Sequence, residues 1–153
     1  MKKSIKQILQ DLQEFHGGLG QYYESLKENA INERTVMMLE YLRNQEDNNS
    51  KHLTEYLHET QDKILNKWLN IVPNLPSNIF CHCSKTHFTT APLTVDDVIE
   101  IAMHYDECLI DFLTIIAQET DCSGGADIFC NLLNLIQSEE KKLVRNSQLL
   151  LDM

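Results

Sequence analysis

The sequence predicts an all-α protein, an antiparallel four-helix bundle with one long crossover between the second and third helices. Apolar residues recur at three- and four-residue steps in four segments, which is the spacing of helix faces packed on a core. The joints within the first and last pairs of segments are short, whereas the range 69–93 separates the two pairs. Short joints make helices antiparallel neighbours, and the long one indicates a crossover. No segment shows the alternation of a strand.

A chain of 153 residues suits a single domain that buries roughly two thirds of its unfolded surface. We expect one domain over residues 1–153, with helices at about 4–30, 32–68, 94–120 and 126–151 and a loop at 69–93.

Three glycines interrupt the first helical stripe, which otherwise runs from Ile5 to Leu26. Each costs a helix interior about 1 kcal/mol relative to alanine. Gly17, Gly18 and Gly20 therefore indicate either a local break or the close approach of a neighbouring helix, and the sequence leaves both open.

The later helices have recognisable boundaries. Asn32 is a candidate N-cap for the second helix, whose stripe continues until Pro73. Thr94 starts a Thr-x-x-Asp sequence typical of a capping box, which predicts the third helix. The sequence DCSGG at 121–125 separates the third helix from the fourth.

Composition restricts the function. A formal net charge of −10 repels phosphate backbones and anionic lipid surfaces, so we expect neither nucleic acid nor a membrane as partner. The N-terminal sequence mixes charges among its apolar residues, unlike a signal peptide, and no window has the apolar length of a membrane span. Five cysteines without an export signal are typical of reduced thiols. We therefore predict a cytoplasmic protein.

Each predicted helix carries polar residues on its apolar side, near its midpoint. They are His16 in the first helix, Glu46 and Asn49 in the second and Asp106 in the third, whereas Glu139 and Glu140 flank the apolar stripe of the fourth. Midpoints of antiparallel helices come to similar heights, so these side chains are expected to meet in one buried layer. Burying several carboxylates together requires a cation or shared protons, which predicts either a metal or at least one carboxyl pKa raised toward neutrality.

The segments LEYLRNQEDNNSKHLTEYL, IEIAMHYDECLIDFL and LIQSEEKKLVRNSQLL resemble the ferritin-like superfamily, in particular rubrerythrin-like bundles, over nearly the whole chain. Members hold two iron ions with a Glu on the first and third helices and Glu-x-x-His on the second and fourth. His16 matches the first Glu position and Asp106 the third helix's Glu. Asn49 stands three residues after Glu46 where His is expected, and Leu143 three residues after Glu140. The resemblance thus implies a degenerate site whose candidate metal-binding residues are His16, Glu46, Asp106 and Glu140.

An amide is a poor iron ligand and leucine is none, so the resemblance implies di-iron oxidase chemistry that is lost or reduced, with a binding or structural role remaining. The alternative is a non-standard iron- or manganese-dependent oxidoreductase or peroxidase that uses the carboxylate-rich core. No catalytic residue can be assigned. Glu55 and His58 do form a Glu-x-x-His sequence, but they fall opposite the apolar stripe, which indicates a surface position.

The crossover loop contains FCHCSKTHF, with Cys81, His82, Cys83 and His87 close together. Structural zinc sites usually combine two separated ligand pairs with two to four residues within each pair. Cys-x-Cys with a nearby His departs from that spacing, so we expect an ordinary loop with reduced thiols rather than a zinc site.

Apolar residues of the first helix pair cover more of the helix surface than the single face that packs on the core, which favours a homodimer. The residues in question are Leu9, Tyr22, Val36 and Met37.

Overall fold

The fold is described from a computed structural model over residues 2–75, 92–120 and 125–151, with side chains of the last helix described from 127 to 145. This part of the chain is mostly helical and belongs to the all-α class, as predicted. The FCHCSKTHF segment, for which we expect an ordinary loop rather than a zinc site at Cys81, His82, Cys83 and His87, and residues 121–124 lie outside the described residues.

Helix α1 (Ile5–Leu26) begins at a capping box. The Ser4 hydroxyl accepts a hydrogen bond from the backbone N–H of Gln7, and the Gln7 side chain accepts one from the backbone N–H of Ser4. The helix is continuous through all three glycines and passes into a 3₁₀ turn at Lys27–Asn29. No local break occurs.

A neighbouring helix lies beside Gly20 but not beside Gly17. A Cβ on Gly20 would lie 3.5 Å from the Cβ of Glu46 on that helix, an ordinary van der Waals contact, whereas a Cβ on Gly17 would have nothing within 4 Å. The neighbouring helix thus approaches Gly20, although alanine would fit at either position.

Helix α2 (Glu33–Glu59) begins at the predicted N-cap, where the Asn32 side chain accepts a hydrogen bond from the backbone N–H of Thr35. The prediction that this helix extends to residue 68 is wrong. It ends at Glu59, because Thr60 adopts an extended conformation while its N–H still bonds to the carbonyl of Tyr56.

A short helix α3 (Asp62–Leu65) and a two-residue strand follow α2. Strand β2 (Trp68–Leu69) pairs antiparallel with strand β1 (Lys3–Ser4) just before α1. We expected no strand, and segments of two residues are too short to show an alternating pattern. The pairing buries Leu69 and leaves Trp68 60% exposed, so Trp68 does not continue the apolar stripe of α2.

Helix α4 (Val95–Glu119) starts at the predicted capping box, in which Thr94 and Asp97 bond to each other's backbone N–H. Helix α5 (Gly125–Leu151) is the last element. Immediately before α4, Leu93 exchanges backbone hydrogen bonds with the joint between α1 and α2: its N–H donates to Asn29, and its carbonyl accepts from Ile31. The start of α4 therefore lies at the end of the molecule where α2 also begins.

The long helices pack as α1 on α2 and α4 on α5, and α2 also contacts α4. Helices α1 and α2 are antiparallel, since Gln13 contacts Thr54 near one end and Lys27 contacts Glu40 near the other. Their apolar faces contribute to one buried core together with those of α4 and α5.

The apolar surface on the first helix pair is smaller than we predicted. Leu9 and Tyr22 are buried inside the chain and cannot contact a second copy, because they belong to the core. Val36 is half-buried and Met37 is 54% exposed. Within the described ranges, no helix combines the length and apolar character needed to cross a membrane.

Candidate functional site

Five polar side chains near the midpoints of the four long helices are buried in the core. This set, called the polar cluster below, consists of His16, Glu46, Asn49, Asp106 and Glu139. Each occupies a place in an apolar stripe, so the helix that buries its leucine neighbours buries it as well. Four of the five were singled out by helical phase, and the fifth was named as a flanking residue.

The first pair within the polar cluster joins α1 to α2. Nδ1 of His16 lies 2.5 Å from Oε2 of Glu46, with both side chains almost fully buried. The imidazole N–H donates to the carboxylate, so each group satisfies the other where water is excluded. Gly20 lies beside this pair, since a Cβ built on it would be 3.5 Å from the Cβ of Glu46.

The second pair joins α2 to α5. Nδ2 of Asn49 donates a hydrogen bond to Oε2 of Glu139 over 3.1 Å. Burial raises the pKa of Glu139 to about 7, against the opposing effect of the Asn49 hydrogen bond. The charge of Glu46 raises this pKa further, and His16 lowers it. The Glu139 carboxyl therefore titrates close to neutral pH.

Asp106 on α4 is a second acid of the polar cluster with a raised pKa. Burial raises the pKa of Asp106 to about 8, and the charges of Glu46, Glu139 and Glu140 raise it as well. This carboxyl is mainly protonated at neutral pH, which removes one negative charge from the core. The expectation that at least one carboxyl of the layer has a pKa raised toward neutrality is confirmed.

Glu140 was the predicted ligand of the fourth helix, but Glu139 is the more buried of the two. Glu140 is half-buried at the edge of the polar cluster. Burial and the nearby charge of Glu107 raise its pKa. Its Oε2 atom is buried without a hydrogen-bond partner in the described chain.

Two of the four predicted ligands, His16 and Glu46, bond to each other. In the described ranges, no three His, Cys, Asp or Glu side chains are grouped so that they could hold a metal ion. His16 bonds to Glu46, and the amide of Asn49 donates a hydrogen bond to Glu139. The buried side chain of Leu143 is apolar. These residues do not fit a two-iron site.

The Glu55 and His58 pair lies on the exposed side of α2, as predicted from its helical phase.

The chemistry that the polar cluster supports is the holding and exchange of protons by acids of raised pKa. It contains no cysteine, serine or threonine that could serve as a nucleophile.

Comparison of the chain with protein-family models, curated proteins and solved structures finds no match.

Proposed function

We propose that the protein is a ferritin-like four-helix bundle, related to the rubrerythrin-like proteins, whose di-iron oxidase chemistry has been lost or reduced and which retains a binding or structural role. One observation carries the proposal. Side chains at three of the ligand positions are already engaged in the core: His16 bonds to Glu46, and Asn49 bonds to Glu139, which is not a ligand position.

The connection between the helix pairs supports the ferritin-like part of the proposal. Leu93 bonds to Asn29 and Ile31 at one end of α1, whereas Trp68–Leu69 pairs with Lys3–Ser4 at the other end. Leu69 and Leu93 therefore lie at opposite ends of the first helix pair. A single long connection of this kind lets the second and third long helices run parallel, as in ferritin-like folds.

The chemistry of the polar cluster supports the loss of iron. An amide at Asn49 and an alkyl side chain at Leu143 replace the two imidazoles that would bind ferrous iron. The raised pKa values of Asp106 and Glu139 allow the cluster to reduce its charge by binding protons. A metal is then not needed to stabilise the buried acids.

The proposal is tested by adding ferrous iron to the purified protein in air and following oxidation optically. We expect the rate to equal that of buffer. Turnover well above that background would refute the loss of activity. The Asn49→His/Leu143→His variant, checked for folding by circular dichroism, is the matched comparison, because it returns both imidazoles to the sites where the resemblance expects them.

A second candidate is an iron- or manganese-dependent oxidoreductase that holds its metal among Glu46, Asp106 and Glu140 with His16. The unpartnered Oε2 of Glu140 and the raised pKa of Asp106 favour it, since a cation near them would relieve both. Elemental analysis of protein purified without chelator or nickel affinity separates the candidates. Stoichiometric metal that disappears in Glu46→Ala would favour the enzyme, whereas metal-free folded protein would exclude it.

A further inference from the structure

A small cavity lies beside the polar cluster, where α1, α2, α4 and α5 meet. Its volume is about 10 Å³, measured as the space open to the centre of a water molecule. Six leucine and isoleucine side chains and two polar residues, His16 and Asn49, form its walls. Pockets for metabolites are typically hundreds of Å³, so this one suits only a molecule about the size of water.

Both polar wall residues have hydrogen-bonding capacity beyond the bonds described above. His16 uses Nδ1 for Glu46, and Asn49 uses Nδ2 for Glu139. Within the described chain, Nε2 of His16 and Oδ1 of Asn49 have no protein partner, although the two residues are only 4% and 3% exposed. Both residues belong to the cavity wall, so a molecule in the cavity that bonds to the two atoms supplies hydrogen bonds that the protein does not.

We propose that this cavity binds one water molecule, which hydrogen bonds to Nε2 of His16 and Oδ1 of Asn49. Water matches the volume and the two polar atoms together. It donates to Nε2 when the imidazole is neutral and accepts from Nε2–H when the imidazole is protonated, while it donates to Oδ1 in both cases. The aliphatic remainder of the wall offers no charge to compensate an ion, so the ligand is neutral.

The bound water connects the two pairs of the polar cluster. A continuous chain of hydrogen bonds then runs from Glu46 through His16, the water and Asn49 to Glu139, and it joins α1, α2 and α5. The proposal is independent of the ferritin-like assignment, because it rests on the cavity and on two polar atoms.

Magnetisation transfer from water to the protein, measured by nuclear Overhauser spectroscopy, tests the proposal. In the wild type we expect cross peaks at the water frequency for the His16 ring protons and for the methyl groups of the cavity wall. Leu135→Phe should fill the cavity and abolish them. Leu133→Phe is the matched control, since Leu133 is also half-buried on α5 but is not part of the wall.

Two outcomes would overturn the proposal. One is the absence of these cross peaks in the folded wild type. The other is their persistence in Leu135→Phe, which would identify an exchanging carboxyl proton as their source. Should Leu135→Phe fail to fold, Leu132→Phe, which fills the cavity from another position of its wall, takes its place with the same two outcomes.

Discussion

Replacing Asp106 with asparagine should stabilise the protein more at pH 8 than at pH 5. The Asp106 carboxyl has a folded pKa of about 8, against an ordinary value of 3.8. The folded state therefore holds a proton that the unfolded chain releases. The contribution of this proton to stability is fully present below the unfolded pKa and is lost as pH rises through the folded pKa. Asparagine is neutral at every pH, so the variant does not share the loss.

The size of the effect follows from the two pKa values. Each unit of pKa difference corresponds to about 1.4 kcal/mol, so the stability that wild type loses through Asp106 between pH 5 and pH 8 is about 3–4 kcal/mol. The difference in unfolding free energy between Asp106→Asn and wild type should shift by that amount in favour of the variant.

Urea unfolding followed by far-ultraviolet circular dichroism measures the shift. With a slope of about 2 kcal/mol per molar urea, the gap between the two midpoints should move by about 1.5–2 M between pH 5 and pH 8. Asp111→Asn is the control, since Asp111 is exposed on the same helix. The difference between its urea midpoint and that of the wild type should be the same at both pH values. A gap for Asp106→Asn that is equal at both pH values would refute the reasoning that burial and neighbouring charges keep this carboxyl protonated.

Three further predictions concern the helices and the oligomer. His16→Leu should destabilise the protein by about 3–5 kcal/mol, because it leaves Glu46 buried without its hydrogen-bond donor. The double variant His16→Leu/Glu46→Leu should recover much of this loss. Equal stability of the single and double variants in urea would contradict the pairing. Gly17→Ala should stabilise α1 by about 0.5–1 kcal/mol, because the added methyl meets nothing within 4 Å, and a lower thermal midpoint would argue against this. We also predict a homodimer, for which light scattering should give twice the 17.7 kDa mass of one chain, and Met37→Glu should favour the monomer if that exposed face is used.

Helix positions could be predicted from the sequence because their signals are local. The caps at Asn32 and Thr94 depend on residues three positions away, and the stripes depend on steps of three and four. The end of α2 could not be predicted in this way. No glycine or proline marks Glu59, and the following segment turns back to pair with Lys3–Ser4, a contact between residues more than 60 positions apart.

Helical phase likewise identified four members of the polar cluster but could not choose between Glu139 and Glu140. Both lie three or four residues from Ile136 and from Leu143, so the stripe places them symmetrically. The packing of α5 breaks that symmetry and directs Glu139 to Asn49. The pairing of His16 with Glu46 was also beyond sequence analysis, because it depends on the distance between two helices.

The hydrogen bond from Asn49 to Glu139 also fixes how the two helix pairs align along their length. Leucine and isoleucine faces tolerate sliding, since one aliphatic side chain replaces another with little cost. A slide of one helical turn, about 5.4 Å, would separate Asn49 from Glu139 and leave both buried without partners. The polar contact thus gives the core a single axial register that its apolar residues alone would not specify.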